Sequence, residues 1–315
     1  MLIRLWNLTP VALKAAVVGA LVVVTTAILG VTAFRTYGFL LFLGAPFVMG
    51  FTVGYFLSIW SEEPESHAFA ALSLAFLLGG GLMVMVAFEG AVCLVMAAPL
   101  AIPLAVAGST AGLALAGEVR KGPLTLGLML LPLGWGVEAA IPPTETLHEV
   151  RSAIEIDAAP EAVWPHVLAF PPLPEPTEWW FEIGLAYPRE ARIEGQGVGA
   201  IRYCVFSTGP FVEPITAWEP AKRLAFDVIE APAPLRELSP WNHVHPPHLD
   251  GYLNSRRGEF RLVALPNGRA RLEGSTWYQL DMAPAPYWRW VTDNIIGRIH
   301  DRVLGHIKTE TERAR

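Results

Sequence analysis

The chain has 315 residues, of which 53% are hydrophobic and only 17% charged, with a net charge of −6. Soluble domains carry roughly 25% charged residues, so this composition excludes a wholly soluble or a disordered protein. The acidic balance leaves no basic stripe to displace counterions, which excludes a general nucleic-acid binder.

The apolar excess is uneven. Before Pro142 the only Lys/Arg are Arg4, Lys14, Arg35, Arg120 and Lys121, and the only Asp/Glu are Glu62, Glu63, Glu65, Glu89, Glu118 and Glu138. All other charges follow. The first half therefore reads as membrane-embedded and the second as globular, over 1–142 and 148–315 with a linker at 143–147. Cys93 lies in an apolar run and Cys204 in a predicted strand, so a disulfide framework is excluded. The preference for Arg over Lys, with frequent Ala, Gly and Pro, suggests a GC-rich bacterium.

A spanning helix needs about 20 mostly apolar residues. Five segments qualify: Val11–Phe34, Tyr37–Trp60, Phe69–Phe88, Ala91–Gly117 and Pro123–Ile141. The fifth is short and contains Glu138, so four spans is the alternative. The third and fourth are parted only by Glu89-Gly90, where a tight turn is expected. The first is too long for a signal-peptide core and lacks a small-x-small site, so it reads as an uncleaved span. Lys/Arg in short loops set orientation: a cytoplasmic N-terminus puts Arg4, Lys14, Arg120 and Lys121 inside and Arg35 outside. Five spans then place the C-terminal domain outside the cytoplasm. Glu89 and Glu138 read as solvated boundary residues. Pro46, Pro99, Pro103 and Pro132 are expected to kink helices, and Gly79-Gly80-Gly81 to give a smooth packing face. Neither paired broken helices nor charge relays of a transporter are present, so this half reads as an anchor bundle.

Beyond Pro142-Pro143 the periodicity changes. Val150, Ser152, Ile154 and Ile156 alternate on one strand face. Asp157-Ala-Ala-Pro160-Glu161 has the chemistry of a helix start, with Asp157 as the expected cap, and that helix ends before Pro171-Pro172. Strands are predicted at Glu190–Ile193, Ala200–Ser207, Phe211–Trp218, Arg223–Ile229, Gly258–Ala264 and Arg269–Leu280. The last two are joined through Asn267-Gly268, a strong hairpin signal. Trp288, Val291, Ile295, Ile299, Val303 and Ile307 recur every three or four residues on a final amphipathic helix, with Arg298, Asp301 and Arg302 on its wet side.

This order, with Ile154-Glu-Ile-Asp-Ala-Ala-Pro-Glu-Ala-Val-Trp164, Glu194-Gly-Gln-Gly-Val-Gly-Ala-Ile-Arg202 and Trp218-Glu-Pro-Ala-Lys-Arg-Leu-Ala-Phe226, resembles the START-like (SRPBCC, polyketide cyclase/dehydrase and lipid-transport) superfamily over about residues 148–312. The resemblance implies an α+β helix-grip fold: a curved antiparallel sheet wrapped on the long C-terminal helix. A cavity between them would take a lipid, sterol, polyketide or other apolar ligand. The superfamily has no universal catalytic set, so no catalytic residue is carried over.

Gly195-x-Gly197-x-Gly199 lacks the strand-then-helix setting of a nucleotide loop and reads as turn glycines. His243, His245, His248 and Asp250 offer nitrogen and oxygen ligands of the kind zinc takes, but their spacing fits no closed metal site. Loop hydrogen bonding or a place at a cavity mouth is the simpler reading, with acid/base work as a further alternative. Trp179, Trp180, Tyr203, Phe206, Trp218, Phe226, Trp277, Tyr278 and Trp290, with His248, form the candidate ligand-binding set. Strand alternation sends Tyr203 and Phe206 to opposite faces, and likewise Trp277 and Tyr278. Trp179-Trp180-Phe181 also suits a bilayer interface, and Arg256-Arg257 an anionic headgroup or a solvated edge. Cys204 reads as an inert core thiol. No cofactor is expected. The partners expected are the lipid bilayer and a lipid or other hydrophobic small molecule, held by a domain tethered in a bacterial cytoplasmic membrane. The alternatives are a membrane-bound enzyme using the His243/His245/His248/Asp250 loop, and an interaction subunit whose cavity is filled by its own side chains.

Overall fold

The computed structural model describes residues 9–116, 133–140, 146–241 and 251–314. The chain divides into two units. One comprises Met1–Pro143 with Glu237–Asp250 and Met282–Pro284, and the other Thr144–Arg236, Gly251–Asp281 and Ala285–Arg315. The division is thus not contiguous in sequence.

The N-terminal unit is helical: α1 (Pro10–Ala33), α2 (Ala45–Trp60), α3 (Pro64–Met85) and α4 (Ala91–Ala116), with a short α5 over 133–139. Thr9 caps α1 by accepting from the Ala12 N–H at 3.3 Å, and Pro10 fits the first turn because it has no N–H to leave unpaired. A π-helical turn, Leu40–Gly44, leads into α2, with the Ala45 N–H bonded to Leu40 O five residues back. That wider spacing adjoins Pro46, which cannot donate to the ladder. Four helices among the described residues are long and apolar enough to cross a membrane: Pro10–Ala33, Leu40–Trp60, Pro64–Met85 and Ala91–Leu115. Five were expected. The fifth segment falls largely outside the described residues, and its described part is the short α5.

Within Gly79-Gly80-Gly81 the close approach is at Gly79, where a Cβ would meet Val23 of α1 at 2.9 Å, while one on Gly81 would meet nothing within 4 Å. A tighter seam, backbone against backbone, runs between α2 and α4. A Cβ on Gly50 or Gly54 would collide with the carbonyls of Ala105 or Ser109, and one on Gly108 or Gly112 with those of Phe47 or Phe51. Small residues four apart on both helices let the backbones touch.

The carboxylates expected to be solvated are engaged instead. Glu89 is buried and accepts from the Tyr37 hydroxyl at 2.8 Å. Glu138 accepts from the Leu40 N–H at 3.0 Å, satisfying a donor at the start of the π-helical turn. The stretch after Arg236 supplies caps as well. Glu237 accepts from the Val92 N–H at 3.2 Å and the Cys93 thiol at 2.5 Å, and Leu238 O accepts from the Ala91 N–H at 3.1 Å. Trp241 Nε1 donates to the Val84 and Met85 carbonyls at 3.2 and 3.0 Å, at the other side of the α3–α4 turn.

The C-terminal unit is a seven-stranded antiparallel sheet in the order β1-β7-β6-β5-β4-β3-β2. Its strands are β1 (Leu147–Ile156), β2 (Pro188–Glu194), β3 (Ile201–Phe206), β4 (Gly209–Glu219), β5 (Arg223–Asp227), β6 (Leu253–Leu265) and β7 (Arg269–Leu280). Helices α6 (Pro160–Leu168) and α7 (Trp179–Glu182) lie between β1 and β2, and α8 (Ala285–Arg313) closes the chain. This is the helix-grip architecture. β7 lies second from one edge, pairing with β1 on one side and β6 on the other. Asn267 and Gly268, at φ 65° and 70°, make the β6–β7 turn. Each needs the left-handed region that Asn tolerates and Gly adopts without cost. Helix α6 is capped at Ala159 rather than Asp157, whose N–H instead donates to Glu312 at 2.9 Å. The core gathers Ile156, Val163, Leu224, Leu262 and Leu272 against Val303, Leu304 and Ile307 of α8.

Candidate functional site

A cavity of about 120 Å³ opens on the face of the sheet that α8 covers. Its wall follows from strand alternation. On β3 the inward residues are Arg202, Cys204 and Phe206, all buried, while Tyr203 and Val205 point the other way. From β4 come Phe211 and Glu213, from β5 Phe226, from β6 Phe260, and from β7 Thr276. Ile296, Ile299, His300, Val303 and Leu304 of α8 form the opposite side. Two glycines shape the room. Gly258 leaves space for the Phe226 ring, which a Cβ would approach to 2.5 Å. Gly274 faces Leu304, and a Cβ there would stay 3.4 Å from it.

Polar residues interrupt this apolar wall, among them Ser255, Arg257, Glu259, Ser275 and Thr276, and three more are central to its chemistry. Arg202 lies directly across the β3–β4 register from Glu213 and donates to it through Nη1. The pair is buried, with side-chain exposures of 2% and 7%. Arg202 Nε also donates to Leu168 O at 3.3 Å, while Nη2 finds no acceptor among the described residues. The guanidinium carbon sits 5.4 Å from the ring centroids of both Phe226 and Phe260 and 5.8 Å from that of Phe170, within cation–π range. Burial raises the Glu213 carboxyl above the usual carboxylate range, against the opposing charge of Arg202. Burial likewise pushes the Cys204 thiol up to about 12, so it is an unreactive thiol at neutral pH.

The third group is His300. Its Nε2 lies 2.8 Å from Thr276 Oγ1 and its Nδ1 3.3 Å from Ser152 Oγ, so both ring nitrogens face hydroxyls. Burial lowers its pKa to about 4, and the ring is neutral at pH 7. A neutral imidazole donates through one nitrogen and accepts through the other. Ser152, His300 and Thr276 therefore form one hydrogen-bonded chain, ending at the cavity wall.

Of the expected aromatic set, Phe206 and Phe226 line the cavity. Tyr278 is fully buried, but its hydroxyl donates to Asp293 at 2.6 Å. Trp218 stacks edge-on against Trp164 at 5.8 Å. Tyr203 lies under Arg192 and Trp277 under Arg257, on the opposite face. Trp180 carries Arg298 over its ring at 3.8 Å, while Trp179 and Trp290 are 62% and 63% exposed. Arg302, expected on the wet side, packs over Phe181 and Tyr187 and donates to Pro174 O. Arg256 donates to Gln279 at 2.6 Å. His243, His245, His248 and Asp250 lie outside the described residues. Among the described residues no group of three or more His, Cys, Asp or Glu is placed to hold a metal.

Arg202, Glu213, Thr276 and His300 were not among the expected site residues. The signal was available in part. Arg202 shares its strand parity with Cys204 and Phe206, and Glu213 shares that of Phe211 and Ile215 across a two-residue turn. A charge on each of two apolar faces marks a buried pair. His300 lies one residue from Ile299 and three from Val303, within the apolar stripe.

Residues 148–285 match the model of the family described as polyketide cyclase / dehydrase and lipid transport, the superfamily that the sequence resembles. Solved structures similar to this chain include the ZhuI aromatase/cyclase from Streptomyces sp. R1128, at 14% identity and a TM-score of 0.34, covering 54% of this chain and 97% of that one. Norcoclaurine synthase from Thalictrum flavum, in complex with dopamine and hydroxybenzaldehyde, has 14% identity and a TM-score of 0.35, with 54% and 89% covered. A protein from Nitrosospira multiformis has 20% identity and a TM-score of 0.33, with 53% and 100% covered. No curated protein sequence matches the chain.

Proposed function

We propose that this is a membrane-tethered helix-grip domain that binds a hydrophobic small molecule between its sheet and α8, for carriage or sensing at the bilayer. The cavity carries the reading: an apolar chamber with a few fixed polar groups is the usual form of a small-molecule site. The four apolar helices support tethering, which would hold the site at a high local concentration of membrane-dissolved ligand. We place the protein in a bacterial cytoplasmic membrane with its C-terminal unit outside the cytoplasm, a placement that requires the segment Pro123–Ile141 to cross in addition to the four described helices. Alkaline phosphatase fused after Arg315 should be active, and an inactive fusion would overturn that placement.

The binding test is native mass spectrometry of the full chain released from nanodiscs of bacterial lipid. The wild type should carry a small-molecule adduct that Gly274→Leu, which fills the cavity, lacks. An adduct of equal abundance in both, or none in either, removes the cavity as the site. A second reading, chemistry on the bound molecule, is favoured by the Ser152–His300–Thr276 chain, which places a neutral proton donor–acceptor at the cavity wall. Turnover lost in His300→Gln while the adduct persists would establish it.

A further inference from the structure

The size and charge of the cavity narrow its ligand, granted the binding reading above. A cavity of about 120 Å³ compares with the roughly 150 Å³ that admits one benzene ring in an engineered core. A phospholipid or a fused polycycle exceeds this room. The polar groups restrict it further. Arg202 is a permanent cation, and a buried guanidinium demands a carboxylate partner, which Glu213 supplies across the register. The pair is electrically balanced, so a ligand carboxylate would add an unpaired buried negative charge. One donor is nevertheless left over, because Arg202 Nη2 meets no acceptor among the described residues. A buried N–H without a partner is costly, and a neutral oxygen would satisfy it without upsetting the charge. The rings of Phe226 and Phe260, both on the cavity wall beside the guanidinium, would hold a flat apolar body.

We infer that the site takes a compact, uncharged, single-ring molecule bearing one hydroxyl or carbonyl oxygen, with that oxygen accepting from Arg202 Nη2. An acyl lipid and an aromatic acid are both outside this class.

The test uses the full chain in nanodiscs with three ring-sized probes: phenol, toluene and benzoate. Ring-current shifts of the labelled Ile296 and Ile299 methyls, on the cavity wall, report occupancy at fixed aqueous probe concentrations. Phenol should bind at least about tenfold more tightly than toluene, the effect of one hydrogen bond to a charged group, and benzoate more weakly than either. Arg202→Met/Glu213→Leu, which replaces the pair by apolar groups without stranding a charge, should bring the phenol-to-toluene ratio to about one while toluene still binds. Equal binding of phenol and toluene by the wild type overturns the assignment of the oxygen but leaves the cavity reading standing. Tightest binding of benzoate overturns the charge-balance argument. Failure of all three probes to shift the methyls removes the cavity as a binding site, and this inference with it.

Discussion

Acid should loosen the C-terminal unit through His300. The ring is neutral in the fold, with a pKa of about 4, and titrates near 6.5 once the chain unfolds. Above pH 6.5 it is neutral in both states and costs nothing. As pH falls below 6.5 the unfolded chain binds a proton that the folded chain refuses, so stability declines until about pH 4 and then levels off. The gap of about 2.5 pH units corresponds to about 3 kcal/mol. That is a ceiling, because the ring keeps some exposure at the cavity. The assay is pulse proteolysis in urea of the nanodisc-embedded chain between pH 7.5 and 4.5, wild type against His300→Gln. Among the other groups lining the cavity, Cys204 and Arg202 do not titrate there. Glu213, raised by burial, works in the opposite sense in both proteins, so the difference between them isolates His300. The wild type should lose on the order of 1–3 kcal/mol more than the variant. Parallel curves, or a His300 ring that titrates near 6.5 by NMR, would refute the reasoning.

Three further outcomes are expected. Gly258→Ala should cost about 1–3 kcal/mol by overpacking, since its Cβ would meet the Phe226 ring at 2.5 Å; urea midpoints at constant slope would measure it. Gly50→Ala combined with Gly108→Ala should force α2 and α4 apart, lowering the thermal aggregation temperature of the purified protein, whereas Gly81→Ala, with open space around it, should not. Glu237→Ala should expose the first amides of α4, raising hydrogen exchange at Val92 with a loss of about 1 kcal/mol, the usual value of an N-terminal cap.

Much of the architecture was legible because it rests on local periodicity. The β1 face of Val150, Ser152, Ile154 and Ile156 and the Asn267-Gly268 hairpin are set by neighbours in sequence, and the spans by simple apolar length. What escaped was set by partners far apart in the chain. Aromatic residue type drew attention to Trp290 and Trp277, yet helix phase exposes the first and strand parity turns the second away from α8. Arg202, Glu213 and His300 are ordinary surface types, and only the pairing of β3 with β4 and the seating of α8 on the sheet reveal that they line a cavity. Glu89 and Glu138 looked like boundary charges because their partners, Tyr37 and the Leu40 N–H, stand 52 and 98 residues away. The Gly50–Gly54 and Gly108–Gly112 seam was likewise hidden, because each half is unremarkable until the other helix is placed beside it.

The cap that Glu237 provides to α4 has a temporal side. Val92 and Glu237 are 145 residues apart, so at ribosomal rates of about 5–20 residues per second the start of α4 waits on the order of ten seconds or more for its carboxylate. Until then the Val92 amide lacks that acceptor. A protein cut at the Pro143–Thr144 division would hold that immature state permanently. Severing the two units at the obvious point in the sequence therefore removes part of the first one.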